Sequence, residues 1–250
     1  MTAPDKDLVA HLTWDAVADR IKGGAAAVLP IGAGAKEHGL HMPMNTDVIQ
    51  AQWLAGVIAR EVDALVWPTM SYGYYPAFVE YAGSASLQAN TFQSVIRDLV
   101  SSILSFDARP VLIVNTGVST IPPVDQVLAE KFSKHPVEHL NVYDGPRLAS
   151  ARAKLSEQKV SGTHADEIET SIMLALDAGR VRMDKAQASP PGKGGAPEPL
   201  SPNNPDAANY SPSGSWGDPA LASADKGQIL LKALAEDVAE MARHAVNKAN

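Results

Sequence analysis

Apolar residues follow two rhythms along this chain, short unbroken runs and longer stretches in which they recur every three or four positions. The runs at residues 25–31, 64–67 and 110–114 predict buried strands. The recurring pattern predicts helices between them. Ile49, Trp53, Val57 and Ile58 mark one over 47–61, and another spans 91–106. A short helix capped by Thr13 and ending near Gly23 precedes the first strand, and residues 124–132 with 140–143 read as a third helix and strand pair. Leu230, Leu231, Leu234, Val238 and Met241 give the closing helix, 223–248, an apolar stripe that packs back on the body. Strands alternating with amphipathic helices predict an α/β fold with three α/β/α layers and a central, largely parallel sheet.

Two connections are long for a compact domain. Residues 69–89, rich in Tyr and Gly, could fold over a site or pack at a subunit interface, and Phe78 and Val79 share that ambiguity. The other, within a Pro/Gly/Ser-rich loop at about 184–222, is dominated by Pro, Gly, Ser and Asn from Pro190 to Pro219 and reads as a linker or surface arm. The expectation is one domain over 1–250. With 250 residues and 45% hydrophobic content, the chain can bury a full core.

A net charge of -7 with scattered Lys and Arg leaves no basic stripe for nucleic acid and favours a small-molecule substrate. The chain has no cysteine, so any metal is held by His, Asp and Glu. The polar N-terminus and the lack of an apolar run of about 20 residues lead to the expectation of a soluble, cytoplasmic protein with no membrane partner.

The densest chemistry follows the first strand. Glu37, His38, His41 and Asp47 place two carboxylates and two imidazoles in one short loop, an oxygen and nitrogen set suited to zinc, manganese or iron(II). A second cluster runs from Gly162 to Ser171. Thr163 is the expected helix cap there, and Asp166 lies in the first turn. Ala165, Ile168, Ile172 and Leu176 form an apolar stripe, and Glu169 falls inside it with His164 at its edge. A carboxylate so placed needs a metal or a buried Arg or Lys partner.

Two glycine-bearing turns carry weaker signals. Gly32-Ala33-Gly34 begins like a dinucleotide fingerprint, but Glu37 occupies the third glycine position and would repel a pyrophosphate. Residues 115–120, Asn-Thr-Gly-Val-Ser-Thr, lack a Gly-Lys-Ser/Thr triplet and read as a turn rather than a phosphate site. His135, His139 and His244 lie in polar segments and read as exposed histidines without a site role.

Pro30-Ile31-Gly32 through Glu37-His38-Gly39, His41-Met42-Pro43 and Thr46-Asp47 resemble the creatininase family of metal-dependent amidohydrolases. Tyr74 to Leu87, Val111 to Asn115, His164-Ala165 with Glu169-Thr170-Ser171, and Gly217-Asp218-Pro219 with Ala222 to Gly227 continue the resemblance in the same order. It implies a three-layer α/β fold, a homo-oligomer that is usually a hexamer, and one or two divalent metals (zinc, manganese or iron) that activate water to open an amide. By the same resemblance Glu37, His38 and Asp47 are the expected metal ligands, Asp47 bridging, and His164 and Glu169 the expected catalytic residues.

Three positions depart from the family pattern. The family's first ligand, a Glu two before the His, is Lys36 here, with Glu37 displaced by one. The strand end that carries Asn-Gly-His and a nearby Glu in the family reads Asn115-Thr116-Gly117 and Ser119, without those ligands. The Gly after His-Ala is Asp166. Either His164, Asp166 or Glu169 replaces the lost ligands, or the site holds one metal or none. The expected function is metal-dependent hydrolysis of an amide or cyclic-amide C–N bond, other than strict creatinine hydrolysis because residues 115–120 differ. The alternatives are a catalytically degenerate binding or assembly protein and a metal-assisted lactonase.

Overall fold

The computed structural model describes residues 3–158, 164–189 and 199–249. Four strands, β1 Ala26–Ile31, β2 Ala64–Val66, β3 Val111–Asn115 and β4 Val137–Asn141, form one parallel sheet in the order β2-β1-β3-β4. All residues of the first three are buried, as their unbroken apolar runs require. The fourth strand starts three residues before the predicted 140–143 because polar Glu138 and His139 hide its period.

Pro30 sits inside β1 without breaking the ladder. Its carbonyl accepts from Met70 N on the β2 side, so its missing N–H points to the same side, where β2 has already ended at Val66.

The helices are α1 Trp14–Lys22, α2 Thr46–Glu61, α3 Ala89–Leu104, α4 Ile121–Val127, α5 Pro146–Leu155, α6 Glu167–Asp177 and α7 Ala224–Ala249. A π-helical turn, Leu128–Phe132, extends α4. Strand alternation sorts them into two outer layers. Val28, Leu112 and Val114 pack with Leu54, Ile58, Leu148, Ile172 and Leu234 of α2, α5, α6 and α7. Leu29, Ile31 and Ile113 face Phe92, Ile96 and Val124 of α3 and α4. This is the three-layer arrangement expected from the periodicity. Among the described residues no helix is long and apolar enough to cross a membrane.

Thr163 lies outside the described residues, and the side chain that caps α6 is Asp166, whose Oδ1 accepts from Ile168 N and Glu169 N. The described part of the Pro/Gly/Ser-rich segment is no surface arm. Ser211, Ser213 and Ser215 are buried, Leu200 packs with Tyr75 and Phe78, and Trp216 N donates to the His164 carbonyl at 2.7 Å. Composition misleads here because two apolar anchors, Leu200 and Trp216, and backbone hydrogen bonds are enough to seat this stretch.

Candidate metal centre

The strand order reverses between β1 and β3, which opens a crevice beyond their carboxyl ends. The 37–47 loop leaves β1 at that point, and Thr116 leaves β3 beside it. Thr116 Oγ1 donates to the carbonyl oxygens of Asp47, at 2.9 Å, and Ile31, at 3.2 Å, tying both strand ends to the start of α2. Gly32 permits the approach, since a Cβ there would lie 2.5 Å from the Asp47 carbonyl oxygen. Residues 115–120 thus serve as the turn expected of them, with Asn115 Oδ1 accepting from Gly117 N and Thr120 Oγ1.

His38, His164 and Glu169 converge in this crevice, each offering a ligand atom within 4.8 Å of the others. His38 Nε2 lies 3.8 Å from Glu169 Oε1, and His164 Nδ1 lies 3.9 Å from Glu169 Oε2. Both gaps are too wide for hydrogen bonds. They suit an ion lying between the atoms at the roughly 2.0–2.2 Å of zinc–nitrogen and zinc–oxygen bonds.

The hydrogen bonds around the three side chains prepare those atoms. His38 Nδ1 faces the Lys36 carbonyl oxygen at 2.9 Å, while Nε2 faces Asp47 Oδ1 at 3.0 Å. A neutral imidazole carries one N–H, so two acceptors leave one contact without a proton. A cation at Nε2 resolves that conflict, as a second ring proton would, and together with the open gaps to Glu169 and His164 it is what makes these residues fit a divalent ion. His164 Nε2 is paired with Glu37 Oε2 at 3.0 Å, leaving Nδ1 toward Glu169. Glu169 Oε2 accepts from Ala165 N at 2.7 Å, and Gln50 Nε2 reaches Oε1 at 3.4 Å. The Ala165 turn has φ +47, a left-handed conformation uncommon for alanine, and it aims this N–H inward.

Glu37 therefore stands behind His164 rather than among the three converging groups. Its Oε1 also accepts from Gly39 N. Burial would raise its pKa, but the hydrogen bonds from His164 Nε2 and Gly39 N outweigh that and hold the carboxyl below its ordinary range. A carboxylate holding the far nitrogen of a ligating histidine is a common support for a metal.

Asp47 lies against His38 through one oxygen and against Lys36 Nζ, at 2.8 Å, through the other. Burial acts to raise its pKa, and the Lys36 ammonium and His38 imidazole drive it well below the carboxylate range. Among the described groups, Asp47 Oδ2 accepts no directed hydrogen bond and relies on the ammonium alone.

His41, the second imidazole of the loop, points elsewhere. Its Nε2 meets Thr170 Oγ1 at 2.8 Å and its Nδ1 is buried without a hydrogen-bond partner, so burial lowers its pKa to about 4. Asp166 is occupied with the α6 cap and with Gln158 Nε2 at 2.9 Å. His139 is the reverse case. Read from the sequence as exposed, its side chain is only 5% exposed and its Nδ1 contacts Asp125 Oδ1 at 2.6 Å, on the far strand and away from the centre.

The 69–89 loop, read from the sequence as one that could fold over a site, supplies one wall of it, and the other wall was missed. The Phe78 ring lies 4.3 Å from that of His164 and 4.9 Å from Lys36 Nζ, and Tyr75 is buried beside it. Gly214 and Ser215 close the other side over Glu37 and His41. Lys36 appeared only as a lost ligand. The signal that could have found it is a lone cation inside a loop of four metal-competent side chains.

The sequence model of the creatininase family, described as creatinine amidohydrolase, matches residues 10–242. Creatinine amidohydrolase from Pseudomonas putida is 26% identical over 94% of this chain and 95% of its own length. A manganese form of creatininase superposes with a TM-score of 0.81 at 25% identity, covering 95% of this chain and 98% of that one. A mutant creatininase of the Zn-Zn type gives a TM-score of 0.79 at 25% identity, over 95% of this chain and 97% of its own. With a family match over residues 10–242 and the same fold as solved creatininases, this chain belongs to the creatininase family.

Proposed function

We propose that this protein is a divalent-metal-dependent hydrolase of the C–N bond in a small amide or cyclic amide. The observation that carries the reading is the convergence of His38, His164 and Glu169, all braced from behind, at the end of the sheet. Support comes from relatives named creatinine amidohydrolase and from creatininases described as manganese and Zn-Zn forms. His38 Nε2, His164 Nδ1 and Glu169 would hold the ion, with zinc and manganese both suited to two imidazoles and one carboxylate. Such an ion, when bound, polarises a carbonyl and makes a water molecule more acidic.

The chain's own residues orient and enclose. Glu37 keeps the His164 proton on Nε2, which leaves the Nδ1 lone pair facing the pocket. Ala165 N–H and Gln50 hold Glu169 in place. Of the three converging side chains Glu169 has the greatest exposure, 17%, and so is the one a substrate meets first. Phe78 and Tyr75 exclude water from the opposite wall.

The test couples elemental analysis to a turnover screen. Purified protein refilled with zinc or manganese is expected to retain metal and to hydrolyse one or more members of a panel of lactams, creatinine and linear amides, with loss on chelation. His38→Ala is expected to lose the metal while keeping its helical circular dichroism. Folded wild-type protein that keeps no metal after refilling would overturn the reading. It would also favour the second one, a scaffold that has lost catalysis and binds a small molecule, for which the ion pair of Lys36 with Asp47 is the specific observation. A lactone in the same panel tests whether esters are opened instead.

A further inference from the structure

Asp47 is completely buried, and its two oxygens serve two different positions. Oδ1 faces His38 Nε2, an atom that would hold the ion, and Oδ2 faces Lys36 Nζ at 2.8 Å. Lys36 is itself only 6% exposed, and its ammonium lies over two aromatic faces, 4.9 Å from the Phe78 ring centre and 5.6 Å from that of Tyr75. Aromatic faces favour a cation, and a buried ammonium persists only where its charge is matched. Lys36 is therefore a built part of the pocket and not a surface lysine folded inward.

The charges of the pocket balance in one way. Glu37, Asp47 and Glu169 contribute three negative charges within linked contacts. One ammonium and one divalent ion neutralise them. A second divalent ion would leave an excess of two positive charges in a buried space, and would have to share Asp47 Oδ2 with the ammonium already there.

We infer that Lys36 is the second cation of this centre: the protein holds a single divalent ion at His38, His164 and Glu169, and the lysine ammonium occupies the place beside Asp47 Oδ2 that a second ion would need. The inference rests on the metal reading above. It gives Lys36 a positioning role, since the ammonium holds Asp47, and Asp47 in turn holds His38. It also makes one of the three positive charges in the centre covalent, so chelation strips one ion and leaves Asp47 paired.

The experiment is a metal count per chain on wild type, Lys36→Glu and Lys36→Met after dialysis against zinc or manganese, by plasma mass spectrometry, with circular dichroism to confirm folding. Wild type is expected to hold about one equivalent and Lys36→Glu about two, because the substitution removes the ammonium and adds an oxygen ligand beside Asp47 Oδ2. Lys36→Met keeps the stem against Phe78 and removes only the charge. It is expected to bind its first ion about ten-fold more tightly or better, read by competition with a chromogenic chelator, since a nearby like charge is gone. This variant keeps the inference testable if the glutamate variant does not fold.

Two equivalents on wild type, or unchanged count and affinity in both variants, would overturn the role of Lys36 and leave the metal reading standing. No metal on any of the three would overturn both. No metal on wild type with metal on Lys36→Glu would also overturn both, since the inference requires one ion beside the ammonium.

Discussion

Gly214 sits far along the chain from the metal loop, yet its substitution by alanine is expected to disable the centre. The residue has φ +83, and a Cβ there would approach Glu37 Cγ to 3.0 Å while overlapping the carboxylate beyond it. The left-handed conformation alone costs an alanine about 1–2 kcal/mol. Relieving the overlap forces the Glu37 carboxylate away from Gly39 N and His164 Nε2, and charged hydrogen bonds of this kind are worth about 1.5–3 kcal/mol each. Since the two effects share one relaxation, we expect a total of about 3–4 kcal/mol rather than their full sum. His164 loses its orienting carboxylate, so metal affinity is expected to fall by about 10–100-fold.

Gly24→Ala is the matched control. Its φ is +91, but a Cβ there meets nothing within 4 Å, so it carries the conformational cost and no collision. Urea unfolding of both variants with metal titration by calorimetry separates the terms. A Gly214→Ala protein as stable as Gly24→Ala, with wild-type metal affinity, would refute the placement of Glu37 behind His164.

The pH dependence of stability offers a second check. His41 titrates at about 4 when folded and near its ordinary 6.5 when unfolded, so on acidification the unfolded chain takes up a proton that the folded one refuses. Its contribution is complete above about pH 6.5 and falls away toward pH 4, by about 3 kcal/mol at most. His41→Gln is expected to flatten that part of the profile in urea unfolding at stepped pH, and an unchanged slope would contradict the burial of this ring. Asp166→Ala is expected to cost about 1–2 kcal/mol as a lost helix cap while leaving the metal count unchanged. Loss of the metal in that variant would return Asp166 to the ligand set.

The layers of the fold were legible because buried parallel strands announce themselves as unbroken apolar runs, and β1, β2 and β3 all lie within two residues of their predicted positions. The fourth strand was predicted but set three residues late, since Glu138 and His139 give it a polar face. At the site, Glu169 was expected to need a metal or a buried Arg or Lys partner; two N–H donors hold it instead, and two imidazoles lie across gaps of 3.8 and 3.9 Å that suit an ion. Periodicity located the carboxylate but could not say which loop would face it. Glu37, His38 and Asp47 lie within one short stretch, residues 37–47, yet the backbone turns them to three different partners. Those directions come from hydrogen bonds to Ser84, the Lys36 carbonyl and Thr116, none of which leaves a pattern in composition. Pro, Gly and Ser between residues 199 and 218 read as a surface arm for the same reason.

The contact of Trp216 with His164 bears on the order of events during synthesis. His38 and Asp47 emerge from the ribosome well over a hundred residues before His164, and the segment that backs Glu37 follows later still. Joining such distant segments carries the loop-closure entropy of a large fraction of the chain, which only the assembled core can offset. A nascent chain therefore presents two imidazoles and two carboxylates of one unfolded loop to the cellular metal pool, a weak and undiscriminating trap, and gains its selective ligand set only when folding is nearly complete. Metal choice in this protein is then made by a finished scaffold, and the apoprotein is expected to be a folded species that waits for its ion.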